Sequence, residues 1–487
     1  MSNGSLGRAI ARHFEINGMR DITHSLSDRY RAESGYREVL VLSIPLIFSS
    51  GAMAVMQFVD RMFLAWYSQE AIAATMPSGI VYFTIMSLFT GTAAYVGTFV
   101  AQYWGANQKH QIGAIVWQGM YVAAFAGVAL LLLIPFAEGF FRAVGHDPKV
   151  QELETIYFQL MCLSAAPSTA SAALSGFFTG RGKTVPVMWV NVISTVLNML
   201  LNYVLIFGKW GFPAWGVFGA GLATVIATCF TAVVFLGMVF HSQYEQQFAT
   251  RSNWRFNRPL FWRLLRFALP NGIQWTIEHM GFSAFILLVG RLGTVELAAT
   301  NIAFNINMLA FMPMMGFGMA ISILVGQNQG RGRPDLSERG VYSGLHLALI
   351  YMSTMILFYV FTPGIFVWPF AAGAEPGSMA EIEDMVIILL RFVAIYSLFD
   401  VLSIAFSSGI KGAGDTRFVM YMIVVFSIFG LTLPIYLALV VFQLGLYAAW
   451  AIISIYIGLL SLIFWFRFQG GKWKTMRVIE TTETVAA

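Results

Sequence analysis

The chain has 487 residues, 58% of them hydrophobic and 11% charged, with a mean hydropathy of +0.70 and a net charge of +5. An ordinary soluble domain is about 25% charged, so this much apolar surface excludes a soluble globular enzyme and an unstructured regulator. Apolar runs of about 20 residues recur along the chain, which excludes a membrane barrel of short alternating strands.

Residues 1–37 are polar, hold six arginines and lack the apolar core of a signal peptide. They are expected to form a cytoplasmic N-terminal arm. Twelve segments then meet the length rule for a bilayer crossing. They lie near 40–66, 75–103, 112–138, 153–178, 184–207 and 216–241, then 264–290, 297–324, 340–364, 380–410, 418–441 and 444–466. The expected divisions are an N-lobe at 38–241, a Gln- and Arg-rich linker at 242–262, a C-lobe at 263–468 and a cytoplasmic tail at 469–487. Cys162 and Cys229 both fall within apolar runs and suggest neither a disulfide nor a zinc site.

The basic residues orient the spans. With the N-terminus inside, 23 of the 29 lysines and arginines fall on inside segments and four on outside loops. The four are Arg142, Lys149, Lys209 and Arg291, while Arg61 and Arg391 lie within spans. This asymmetry predicts cytoplasmic termini for a multi-pass protein of the plasma membrane. It also accounts for the net charge without a nucleic-acid partner.

An internal repeat divides the chain. At an offset of 225, Pro45 meets Pro270, Ala73-Ala74-Thr75 meets Ala298-Ala299-Thr300, and Gly91 meets Gly316. Val100, Gln102 and Gly105 meet Val325, Gln327 and Gly330 in the same register. Gly180-Arg-Gly-Lys-Thr184 further resembles Gly412-Ala-Gly-Asp-Thr416. Six spans per half return the chain to its starting side, so the halves share one orientation. The predicted fold is an all-α polytopic membrane protein of 12 transmembrane helices. Its two six-helix lobes are related by a pseudo-two-fold axis along the membrane normal and face a central cavity.

Three acids lie deep in spans: Asp60, Glu278 and Asp400. Each costs roughly 2.5–3.5 kcal/mol at a span centre, which marks binding of a proton, an ion or a cationic substrate. Each has a polar neighbour three or four residues away on its own helical face: Gln57 for Asp60, Gln274 for Glu278 and Tyr396 for Asp400. Asn198 and Asn202 form a further such pair, as do Asn301 and Asn305. Intramembrane amides of this kind also serve simply to join helices. His279 abuts Glu278, either tuning it or merely packing. The abundant Met and Phe suit a site for flat aromatic cations. There is no Walker motif, zinc-protease motif or nucleophile elbow. The chain therefore reads as a non-enzyme without a cofactor, driven by an ion gradient.

Several of these residues carry a resemblance. Ile44-Pro45 with Phe58-Val59-Asp60, Val100-Ala-Gln-Tyr-Trp-Gly105, Glu278, Tyr396-Ser-Leu-Phe-Asp400 and Gly412-Ala-Gly-Asp-Thr416 resemble the multidrug and toxic compound extrusion (MATE) family. The similarity spans about residues 38–468 and points to its NorM-like bacterial branch. It implies an antiporter that exports cationic or amphipathic drugs in exchange for Na+ or H+ by alternating access; a functional monomer is expected, with the oligomeric state left open. It implies a cation site around Glu278, Asn305, Tyr396 and Asp400, with Na+ at Glu278 and Asp400 as one option. It also implies a protonation site around Asp60, Asn198 and Asn202. Some relatives have Asp where Asn202 stands. The alternatives are a lipid-linked glycan flippase of the same superfamily, which would favour a basic cavity, and another 12-span secondary transporter.

Overall fold

The computed structural model describes residues 28–371 and 380–480. The expected arm thus lies outside the described residues over 1–27, and the expected tail over 481–487. The described chain is a set of long helices: α1 Tyr36–Tyr67, α2 Gln69–Gly105, α3 Gln111–Val144, α4 Pro148–Leu163 with Ala165–Thr179, α5 Thr184–Phe207 and α6 Gly216–Val239. The second set is α7 Arg258–Val289, α8 Thr294–Arg331, α9 Pro334–Phe361, α10 Glu381–Ala413, α11 Thr416–Val441 and α12 Leu446–Gln469. No β-strand occurs among the described residues.

Ten of these helices are individually long and apolar enough to cross a bilayer. The two segments of α4 satisfy the test together but bend by 40° at Ser164. α7 is 32 residues long, yet Gln274, Glu278 and His279 lower the hydropathy of its apolar half enough to keep it out of the apolar set. Twelve crossings therefore require α7 to count on length and packing.

Helix ends follow local chemistry. The Ser68 hydroxyl accepts the Ala71 N–H at 3.0 Å to start α2, and Asn257 Oδ1 accepts the Leu260 N–H at 3.1 Å to start α7. α7 thus begins within the segment read as linker. Asp147 caps α4 through the Lys149 N–H at 3.0 Å, so α4 starts at Pro148, earlier than its apolar run. α11 contains two π-helical stretches, Phe426–Thr432 and Leu437–Val441, on either side of a short turn with Pro434. Proline supplies no N–H to the ladder.

The halves exchange the N-terminal ends of their first helices. Val39, Leu42 and Leu46 of α1 join a core built mainly from α8 to α12. Leu260, Leu264 and Ala268 of α7 join the core built from α2 to α6. Close approaches come in matching pairs under the 225 offset. A Cβ on Gly91 would lie 3.0 Å from Gly272 Cα, and one on Gly316 would lie 3.0 Å from Ile47 N. Any side chain at Gly105 would overlap the Gln327 carbonyl, and any at Gly330 the Gln102 carbonyl. Gln102 Nε2 donates to Gly412 O at 3.1 Å, and Gln327 Nε2 donates to Gly180 O at 2.9 Å. The two glycine corners, tightened by positive φ at Gly182 and Gly414, are thus each gripped by the opposite half.

The segment after α12 extends this junction. Trp473 is fully buried, stacked on Phe468 with centroids 4.8 Å apart, and its carbonyl accepts Gln329 Nε2 at 3.0 Å. Lys474 pairs with Glu338 at 2.7 Å. Val478 and Ile479 enter the first-half core, and the Val478 N–H donates to Gln102 Oε1 at 2.8 Å. Arg263 pairs with Glu480. Residues 470–480 therefore form a strap across the seam.

Among the described residues, hydrogen bonds between helices of opposite halves run from mid-helix to this same end. Ser50 donates to Met312 O at 3.4 Å, Ser87 meets Thr276 at 3.0 Å, and Asn271 donates to Gly91 O at 2.8 Å. The halves are joined at the end that carries the basic loops.

Candidate ion and substrate sites

The first site lies where α1, α5 and α6 meet. Asp60 is half-buried near the C-terminal end of α1. Asn202, one turn beyond Asn198 on α5, donates through Nδ2 to Asp60 Oδ1 and also to Asn198 Oδ1 at 3.0 Å. Asn198 Nδ2 reaches Thr224 Oγ1 of α6 at 3.4 Å. Both asparagines are 0% exposed. Asn202 Oδ1 has no hydrogen-bond partner among the described residues. Tyr157 of α4 lies within electrostatic reach of Asp60. Gln57, the residue singled out as Asp60's neighbour, is exposed, and the polar group that engages Asp60 comes from another helix.

The second site is assembled by α7, α10 and α12. Gln274 Nε2 donates to Glu278 Oε1 at 3.1 Å across one turn of α7. Gln274 Oε1 is buried without a partner among the described residues. Glu278 and Asp400 lie within electrostatic reach of each other and of Tyr456, whose hydroxyl meets Ser427 at 3.2 Å. Tyr396 is buried, with its ring stacked 6.5 Å from Trp450, which also stacks on Phe304 at 4.9 Å. Trp450 Nε1 donates to Thr300 Oγ1 at 3.4 Å. Asn301 and Asn305 of α8 are exposed, and Asn305 Nδ2 donates to the Asn301 carbonyl at 2.8 Å. Neither asparagine bonds Glu278 or Asp400 among the described residues. His279 turns away from Glu278 onto the Trp275 carbonyl at 2.6 Å and packs edge-on against Phe83 of α2 at 4.8 Å.

Lys411 changes place relative to the sequence reading. It counted there as an inside-loop charge, but it lies in the last turn of α10, where the Glu278 charge reaches it and its carbonyl accepts the Tyr95 hydroxyl at 2.6 Å. Thr224, Tyr456, Ser427 and Trp450 were not anticipated. An aromatic or hydroxyl group in an apolar span carries no local mark of facing an acid.

The two sites share one chemical feature. Each places a carboxylate beside a buried amide that donates to it while its own carbonyl oxygen stays unpartnered. An ionised carboxylate only accepts, so it fixes which way the amide points. An orphaned buried acceptor costs roughly 1–3 kcal/mol. A carboxyl O–H or a monovalent cation placed between the two oxygens would satisfy both.

The fold and these paired sites define a multi-pass helical membrane transporter built on a duplicated six-helix unit. The MatE family model matches residues 45–204 and 270–439, stretches that start at Pro45 and Pro270 of the repeat. The chain belongs to the MatE family, the multidrug and toxic compound extrusion transporters. It is 27% identical over 436 residues to a protein from Brucella suis biovar 1 described as "Probable multidrug resistance protein NorM", covering 88% of this chain and 91% of that one. A protein of the same description from Synechocystis is 27% identical over 452 residues, with 91% and 96% covered. A solved structure described as an outward-facing conformation of a multidrug resistance MATE family transporter superposes with a TM-score of 0.82 at 18% identity, covering 92% of this chain and 98% of that one.

Proposed function

We propose that this transporter is a secondary antiporter that exports organic cations in exchange for Na+ or H+ by alternating access. The carrying observation is the pair of acid–amide sites, one in each half, each with a carboxylate and an unpartnered amide oxygen. Glu278 and Asp400, flanked by the Tyr396–Trp450–Phe304 stack, suit a flat cation, because aromatic faces attract positive charge. Asp60 with Asn202 and Asn198 suits a proton or small cation. Loading either coupling ion removes the negative charge that attracts the drug, and exchange follows from this competition. The basic end, where the halves are joined, is assigned to the cytoplasm by the lysine and arginine asymmetry. This state then opens outward. The same asymmetry supports both termini inside, the bacterial relatives support an inner-membrane location, and the sites lie within one chain, as a functional monomer requires. The acidic sites favour cations over the anionic cargo of a glycan flippase.

The test is transport of a monovalent aromatic cation in proteoliposomes, with sodium and proton gradients imposed separately. At least one gradient should drive uptake against the drug gradient. Transport indifferent to both gradients would overturn the proposal.

A further inference from the structure

A groove of 310 Å³ lies between α7 and α11 near the joined end of the molecule. Arg266 and Arg417 border it, above an apolar floor of Leu269, Ile273, Met420 and Tyr421. Both arginines are exposed, and neither belongs to an ion pair among the described residues. Arg417 is the second residue of α11, and Arg266 is two turns into α7, close to the start of each helix. Guanidiniums at such positions sit at headgroup level, and the groove floor continues toward the acyl region.

The repeat supplies an internal comparison. Under the 225 offset, Arg266, Leu269 and Ile273 correspond to Val41, Ile44 and Phe48. The glycine corners align Gly412 with Gly180, so Arg417, Met420 and Tyr421 correspond to Val185, Met188 and Trp189. Every apolar lining position is apolar in both halves. The arginines alone differ, and their counterparts Val41 and Val185 are 58% and 48% exposed. The fold therefore needs no cation at these positions. The groove thus sets two positive charges over an apolar channel where the pseudo-symmetric lining carries two valines.

We propose that this groove binds one anionic phospholipid, with its phosphate held by Arg266 and Arg417 and an acyl chain along Leu269, Ile273 and Met420. Arginine forks match phosphate geometry, and basic pockets between helices at the cytoplasmic surface suit anionic headgroups. The site is independent of the transport sites and faces lipid.

The test uses the detergent-purified full chain with added phosphatidylglycerol, phosphatidylcholine or inorganic phosphate, read by melting temperature and by native mass spectrometry. Phosphatidylglycerol should raise the melting temperature and remain bound as one retained lipid, and the other two additives should do neither. Arg266→Gln with Arg417→Gln should weaken retention about thirty-fold, at about 1 kcal/mol per basic side chain. Arg266→Lys with Arg417→Lys should keep most of the binding. Adding Val41→Arg and Val185→Arg to the wild type should create a second retained lipid. Equal behaviour of phosphatidylglycerol and phosphatidylcholine on the wild type would overturn the proposal whether or not the glutamine variant folds. So would retention unchanged in a folded glutamine variant. Phosphate alone matching phosphatidylglycerol would show a free-anion site and overturn the lipid assignment.

Discussion

Gln102→Leu is the sharpest perturbation of the junction between the halves. Gln102 is 0% exposed and makes three hydrogen bonds across the seam, to Gly412 O at 3.1 Å, Ala413 O at 3.3 Å and from Val478 N at 2.8 Å. Leucine nearly preserves the volume but leaves two buried carbonyls and a buried N–H without their partner. At roughly 1–3 kcal/mol for each orphaned group, the joined state loses about 3 kcal/mol, a shift of roughly 150-fold toward the opposite opening. Its repeat partner Gln327 makes a single bond, to Gly180 O at 2.9 Å. Gln327→Leu should therefore cost about 1 kcal/mol, roughly a five-fold shift. Spin labels on Gln111 and Arg339, both exposed near the joined end, would report the separation of the halves. A long-distance population should grow strongly in Gln102→Leu and only slightly in Gln327→Leu. An unchanged distribution in both variants, or a larger effect from Gln327→Leu, would refute the reasoning.

Glu278→Gln and Asp400→Asn should each abolish gradient-driven efflux while the protein still reaches the membrane, as read by vesicle transport alongside immunoblotting. Asp60→Asn should flatten the pH dependence of efflux with little change in drug affinity, and a collapse of affinity with the pH profile intact would make Asp60 a substrate ligand. Arg467→Leu leaves Asp415, paired to it at 2.7 Å and with a side chain only 8% exposed, as a buried unpaired charge. The expected loss is about 3 kcal/mol, seen as a lower melting temperature in detergent. Glu245 is held below its usual value by hydrogen bonds from Ser252, then from the Arg251 N–H, and also from Thr250. A depressed value stabilises the 242–252 turn above the unfolded carboxylate range and stops doing so as pH falls through the lowered value. Hydrogen exchange at residues 249–252 should accelerate in acid, and Glu245→Gln should reproduce this at neutral pH.

Much of the architecture is legible in the sequence because its causes are local or periodic. An apolar run long enough to span a bilayer declares a helix, and Pro45 and Pro270 fix the repeat register that the paired glycine contacts later use. The break at Ser164 is marked only by Pro167, which has no N–H to bond back to Leu163, while apolar residues run on through both sides of it. The residues around the acids divide along the same line. Gln274 and Glu278 are four apart on one helix, and that spacing is visible. Asn202 reaches Asp60 across 142 positions, and no local pattern announces a pairing set by helix packing. Gln57 was favoured by spacing alone, yet helical spacing fixes relative direction around the axis and not which neighbour lies there. Residues 470–480 show the same limit. Their charged composition reads as a solvated tail, while Trp473 and Val478 are buried by partners remote in sequence.

The strap also sets an order of assembly during biosynthesis. The bond from Val478 to Gln102 joins positions 376 residues apart. At roughly 5–20 residues per second, the ribosome delivers Val478 about 20–75 s after Gln102 has been made. Throughout that interval α2 sits in the bilayer with Gln102 Oε1 lacking its final donor, and the first-half core waits for Val478 and Ile479. A nascent chain released early would carry twelve helices with an unsealed seam. Quality control could recognise that seam as unfinished, even though every membrane crossing had already been inserted.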